Sequence, residues 1–290
     1  MGRRILGLDI GTRTVRAVLL DSTYRAWTVV DHAAAAVAEV PAAPSPGTGP
    51  IAGSTPVATV AASASAPAVT PVADAAAPDA GQLATTLRDR QAAAVRELLA
   101  ERGWAFEDAI VALPGAAASV HVLSLPFSDP RRIEQTIGYE VEAQIPFDLA
   151  DVAWDWQLLG VREGRSELLA SVVRRDELAS LLASLAAAAV DPRAVVPPAP
   201  AYSSLHGSST LAGDDDAAEP GAVDVVLDVG ADRTSFSVVS GVTLEWARTI
   251  PLASGDLARG PAPLVRELRA TLRSWRARFS EPRTIRRVRL

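Results

Sequence analysis

Residues 6–20 read LGLDIGTRTVRAVLL, and this stretch decides the fold. Leu6 and Leu8 lead an apolar strand into Asp9. Ile10 is apolar and Gly11 permits a turn. Thr12, Arg13 and Thr14 carry hydroxyls and a charge across the tip, and Val15, Val18, Leu19 and Leu20 resume a strand. A β-hairpin with Asp closing its first strand and Gly two residues later can place backbone N–H groups and hydroxyls around a phosphate. The same pattern also suits a hairpin that uses Asp and Gly for turn chemistry only.

A second copy strengthens the first reading. Residues 225–239 read VVLDVGADRTSFSVV, so Asp228 and Gly230 stand 219 residues beyond Asp9 and Gly11. That separation is too long for a solenoid period and suits two lobes of one molecule.

Composition narrows the function. The chain has 290 residues, 49% hydrophobic and 21% charged, enough for one large or two ordinary domains. A net charge of −6 argues against non-specific nucleic-acid binding. With no Cys there are no disulfides, thiol catalysis or Cys-based metal sites, which fits a reducing compartment. There is no Lys, so every basic side chain is Arg or His. His32, His121 and His206 share no metal-ligand spacing, and no serine lies on a nucleophile-elbow motif. The N-terminal apolar run is too short for a signal peptide, and no run of about 18 residues reads as a membrane helix, so the chain reads as cytoplasmic.

Outward from the hairpins, the turn at Asp21-Ser22-Thr23 predicts a third strand through Trp27, Val29 and Val30. Residues 33–81 are rich in Ala, Pro, Ser and Thr with recurring prolines, and read as a disordered insertion. Residues 83–102 predict an amphipathic helix closed by Gly103, then strands at 109–113 and 119–125. Asp129 and Pro130 predict the start of a helix with Ile133, Ile137, Val141 and Ile145 on one face. Val152, Trp154, Trp156 and Leu158 alternate as a strand, and 168–173 supply its partner. Residues 176–190 predict a helix, 197–200 and 213–221 connections, 242–250 a strand, and 264–279 a helix with an arginine face. That face suits solvent, anionic lipid or a partner. Residues 285–290 look like the beginning of a buried strand, with no cap or turn after it. The Asp214-Asp215-Asp216 run reads as a solvated loop tip.

The repeated Asp-x-Gly hairpin resembles the actin-like ATPase superfamily. The run RRIEQTIGYEVEAQIPFDLADVAWDWQLL at 131–159, with VDPRAVVPPAPAYSSL at 190–205, is more specific. It resembles the PilM/GspL family, the actin-like cytoplasmic components of type IV pilus and type II secretion inner-membrane platforms. Gly138-Tyr139-Glu140 leans towards the secretion-type branch.

The resemblance implies an α/β, ribonuclease H-like duplicated fold of two lobes with five-stranded sheets and a small inserted subdomain. The first lobe would comprise 1–32 and 176–205, the subdomain 82–175, and an apparently truncated second lobe 206–290. It implies ATP and Mg²⁺ between the lobes. Asp9, Gly11, Thr12, Arg13, Thr14 and Arg16 would face the nucleotide from the first lobe, and Asp228, Gly230, Ala231, Asp232, Arg233 and Thr234 from the second. Asp9 and Asp228 would hold Mg²⁺ through water. Nucleotide-binding members usually carry Lys where Arg16 stands, and Arg is a different phosphate ligand. Their adenosine-binding Gly-Gly turn would follow Leu290. The expected function is a non-catalytic scaffold at the inner face of the bacterial inner membrane. It would bind the cytoplasmic tail of a bitopic membrane protein or the assembly ATPase, and a homo-oligomer is possible. The alternative is a Mg-ATP-hydrolysing ATPase of the FtsA type.

Overall fold

The computed structural model describes residues 2–39, 80–115, 117–207, 221–241, 243–277 and 283–290. Most of the 33–81 stretch, the three-aspartate run and Phe279 lie outside the described residues.

Strands β1 (Arg3–Ile10) and β2 (Thr14–Ser22) form the first hairpin, with Asp9 opposite Arg16. Strand β3 (Trp27–Ala36) pairs antiparallel with β2 and runs past the sequence-based boundary at 33, because Ala33 to Ala36 pair with Ala17 to Thr14. Helix α1 (Ala80–Arg102) ends at Gly103, whose φ of +59° places it in the left-handed region that stops helices. Strand β4 (Asp108–Ala112) then lies parallel to β1, Leu6 opposite Ala109.

The inserted subdomain follows. It comprises β5 (Ala118–Leu125), α2 (Pro130–Glu142), a 3₁₀ turn at Leu149–Asp151, β6 (Val152–Arg162) and β7 (Arg165–Arg174). Its antiparallel sheet has the order β5-β7-β6. The β6–β7 turn places Glu163 and Gly164 at φ +52° and +74°, the pair of positive values that a two-residue hairpin requires. Asp129 caps α2 by accepting from the Arg132 N–H at 2.9 Å, and Pro130 opens the helix where no N–H is needed. Ile133, Ile137 and Val141 bury themselves against Leu123, Leu125, Val152 and Leu168 of the sheet.

The chain returns to the first lobe through α3 (Arg175–Ala187) and β8 (Ala194–Val196), which runs parallel to β4. The first sheet therefore has the order β3-β2-β1-β4-β8. This corrects the subdomain boundary at 82, since α1 and β4 belong to the first lobe. Parallel pairing is made through a long crossover and leaves no local signal in the sequence. The prolines read as a connection in fact open a helix, α4 (Pro198–Gly207). Pro198 and Pro200 occupy its first turn, where a missing N–H costs nothing.

The second lobe repeats the plan. Strands β9 (Ala222–Val229), β10 (Thr234–Ser240) and β11 (Thr243–Ile250) form a meander. Helices α5 (Ser254–Ala258) and α6 (Ala262–Arg276) follow, and β12 (Thr284–Arg289) lies parallel to β9. The order β11-β10-β9-β12 reproduces β3-β2-β1-β4. Leu264 and Trp275 of α6 cover one face of this sheet over Val225, Leu227, Phe236, Val238 and Ile250. The other face shares a cluster with the rest of the molecule, where Val239 and Leu244 meet Leu169 of β7 and Ala199 of α4. Among the described residues no helix is long and apolar enough to cross a membrane.

Candidate functional site

Both hairpin tips are built by the same bond. The Gly11 N–H donates to Thr14 O at 3.0 Å and the Gly230 N–H to Arg233 O at 2.8 Å. A Cβ on either glycine would sit 2.9 Å from that same carbonyl oxygen, closer than a carbon is tolerated, so each tip requires glycine. Each tip is also fixed to its own lobe. Gly11 O accepts from Nε2 of the buried Gln91 on α1 at 2.9 Å. Gly230 O accepts from the N–H of Ser254, the first residue of α5, at 3.0 Å.

The tips face each other across a cleft of about 1140 Å³. Asp9, Gly11, Thr12, Arg13, Thr14 and Arg16 line it from the first lobe, and Asp228, Gly230, Ala231, Asp232 and Arg233 from the second. Thr234 does not line it. That residue is fully buried and its hydroxyl donates to Leu252 O at 2.8 Å, so it supports the hairpin. Strand alternation explains the correction. Asp228 pairs with Ser235, as Asp9 pairs with Arg16, and it is Ser235 that lines the cleft.

The two carboxylates have different partners. Asp9 Oδ2 lies 3.3 Å from Arg16 Nη1, with both side chains more than half exposed. A pair so solvated contributes little and exchanges readily for another partner. Asp228 Oδ2 accepts from the Tyr202 hydroxyl at 2.8 Å. Burial pushes the Tyr202 phenol up from its ordinary range, and the bond to Asp228 and the charges of Asp228 and Asp9 add to that effect. Tyr202 is thus a neutral donor to Asp228 that feels the charge of both carboxylates. The sequence reading did not single it out. Its one signal was its place in the Ala-Tyr-Ser-Ser-Leu run at 201–205, since a lone Tyr in an Ala-rich stretch has no periodicity.

His121 lines the same cleft, with Nε2 3.1 Å from Ser119 Oγ, and burial holds its pKa below the usual range, so it is neutral at pH 7. Among the described residues no group of three or more His, Cys, Asp or Glu is placed to hold a metal directly. A smaller cavity of about 250 Å³ adjoins the cleft between β5, the start of α4, and strands β10 and β11. Ser119, Ser235 and Ser237 line it, and the Thr249 hydroxyl closes one side by donating to Gly115 O at 3.1 Å.

The arrangement has known counterparts. A solved PilM-PilN type IV pilus biogenesis complex superposes with a TM-score of 0.59 at 21% identity, over 89% of this chain. The chain spans 65% of the length of that structure. The cytoplasmic domain of EpsL, an inner membrane component of the type II secretion system of Vibrio cholerae, gives 0.46 at 12% identity, over 86% of this chain and 71% of that one. A Bacteroides thetaiotaomicron protein with actin-like ATPase fold gives 0.40 at 8% identity, over 92% and 78%. Comparison with curated proteins gives no significant match. The fold is the actin-like one, with its repeated sheet order and inserted subdomain. A family model described as type IV pilus assembly protein PilM matches residues 78–254, a span from α1 through the subdomain to the second hairpin. The match is to the pilus-type family, not the secretion-type branch towards which Gly138-Tyr139-Glu140 leans. The chain belongs to the PilM family of type IV pilus assembly proteins.

Proposed function

We propose that this chain is an actin-like cytoplasmic scaffold of a type IV pilus inner-membrane platform. It binds the short cytoplasmic tail of a bitopic inner-membrane protein and relays its state to the assembly machinery. The family match over 78–254 carries the reading, because it takes in the whole inserted subdomain and part of each lobe. The partner named with the solved relative, PilN, gives the class of tail. The groove beside the subdomain, where β5 and α4 meet the second sheet, is the place for an extended peptide. The test is isothermal titration of the purified chain with a synthetic peptide of the PilN-type tail from the same genome. Saturable binding is expected, and no heat at millimolar peptide would refute the reading.

The cleft carries a second part of the proposal, a Mg-nucleotide. Its donors fit. Arg13, Arg16 and Arg233 suit phosphate oxygens, while Asp9 and Asp228 face the cleft as carboxylates for a hydrated cation. Mg²⁺ held chiefly by phosphates and water needs few protein ligands, in keeping with two acids in place of a closed cage. The bound group would supply charge that ties both tips together. Arg16 releases Asp9, Tyr202 orients Asp228, and the glycine tips hold their N–H groups in place. A thermal shift with Mg-ATP reads this directly. About 2.7 kcal/mol of stabilisation is expected at a hundredfold excess over Kd, and its loss in Asp9→Ala. No ATP-dependent shift in the parent chain would sink the nucleotide reading and leave the scaffold one standing. Hydrolysis, the FtsA-type alternative, is scored separately as phosphate release.

A further inference from the structure

The outer face of α6 carries Arg266, Arg269, Arg273 and Arg276, all exposed. At 3.6 residues per turn these positions fall within an arc of about 80° and span about 15 Å along the axis. The inward face of the same helix holds Leu264, Thr271 and Trp275 in the core. Glu267, the acid within the helix, turns away from the stripe to Arg248, 3.5 Å away. No hydrogen bond or ion pair engages any of the four guanidinium groups among the described residues. By contrast Arg248, Arg283 and Arg286 of the same lobe are all paired with acids.

Four unpaired arginines in one row, on a chain with a net charge of −6, form a local field of the opposite sign to the molecule. Like charges three and four residues apart repel along a helix, so the row costs helix stability and gains nothing within the lobe. We infer that this face docks on an anionic phospholipid surface. The occupant follows from charge complementarity and shape. A straight row of guanidinium groups on the outside of a helix meets a plane of phosphates without needing a pocket, and each planar fork can bind a phosphate through two donors. Exposed apolar side chains are too sparse for insertion, Val265 being the large one beside the stripe. The helix therefore lies on the headgroups and does not enter the acyl layer. The face belongs to the side of the second sheet opposite the shared cluster with α4 and β7, so lipid contact leaves the peptide groove open.

The experiment is flotation of the full chain with two kinds of vesicle, phosphatidylcholine alone and phosphatidylcholine containing phosphatidylglycerol. Binding to the anionic vesicles only is expected, with loss at about 1 M salt, where charges beyond ~3 Å are screened. Each Arg→Gln change at 266, 269, 273 or 276 should weaken partitioning about fivefold. The quadruple variant should not float, while its melting temperature stays at or above that of the parent. Equal binding to neutral vesicles, undiminished binding by the quadruple variant, or no vesicle binding at all would overturn the inference. The last result is the one expected if the row meets an acidic protein instead. The tail peptide titration uses no lipid, so failure of either reading leaves the other measurable.

Discussion

The Tyr202 hydroxyl donates to Asp228 Oδ2 at 2.8 Å, and this bond joins the helix leading out of the first lobe to the strand end that opens the second. Asp9, the equivalent acid of the first hairpin, is held by Arg16 of its own hairpin. One acid is thus neutralised locally by a cation, while the other reports to the connection between lobes.

Tyr202→Phe removes that donor. The Asp228 carboxylate is exposed enough to recruit water, so a loss of about 1 kcal/mol is expected in urea denaturation at pH 7. The bond also sets a pH dependence. The folded-state phenol titrates above its unfolded value of about 10, so its contribution is complete below pH 10 and is lost as pH rises further. The gap between parent and variant should therefore be constant from pH 6 to about 9 and close in stronger alkali. A gap that widens in alkali would contradict the geometry.

Gly11→Ala and Gly230→Ala each drive a Cβ onto a backbone oxygen that cannot rotate away. A shift of the tip costing about 1–3 kcal/mol is expected for each. Both variants should fold, with amide exchange accelerated at the tip that was changed. Loss of the Mg-ATP thermal shift in both would show that the two tips act on one ligand.

Glu245 of β11 is buried, 3.0 Å from Arg283 and 3.9 Å from Arg162 at the end of β6. Burial raises its pKa above the usual carboxylate range, and the two arginines only partly offset this. The sign follows from linkage. A carboxyl with a raised folded-state pKa stabilises the fold at low pH and loses that contribution as pH rises through the folded value. The stability difference between parent and Glu245→Gln should therefore fall as pH rises above about 4. Thermal melts over that range test it, and a difference that grows with pH would refute it.

Ile137→Ala opens a cavity under α2, where Ile137 meets the subdomain sheet fully buried. A loss of about 2–4 kcal/mol is expected. If the subdomain opens on its own, trypsin should cut at Arg131 or Arg132 before the lobes unfold.

The hairpins were readable because their signal is local. Asp, Gly and alternation fix a tip within seven residues, and the second copy fixes the number of lobes. The α2 cap and its apolar stripe were readable for the same reason. The allegiance of α1 and β4 was not, since the β1–β4 pairing joins residues about a hundred positions apart and a parallel crossover of that length has no local signature. Helix α4 was hidden by its prolines, which look like breakers unless they are placed in a first turn. Thr234 was misread by one residue. Counting the register back from Asp9 and Arg16 leads to Ser235, because a one-residue slip sends a side chain to the opposite face of the strand. Tyr202 required the fold itself, since its partner Asp228 lies on another element.

The cluster of Leu169, Ala199, Val239 and Leu244 limits how the molecule can move. Its side chains come from the subdomain, the connecting helix and the second lobe, so a rigid hinge that swung the lobes apart would expose them to water. A small sliding of β11 along β5 and α4 would keep these side chains packed, so shear is the motion that this packing favours. Such a shear would carry the second lobe along the subdomain sheet, since Val239 and Leu244 rest on Leu169 of that sheet.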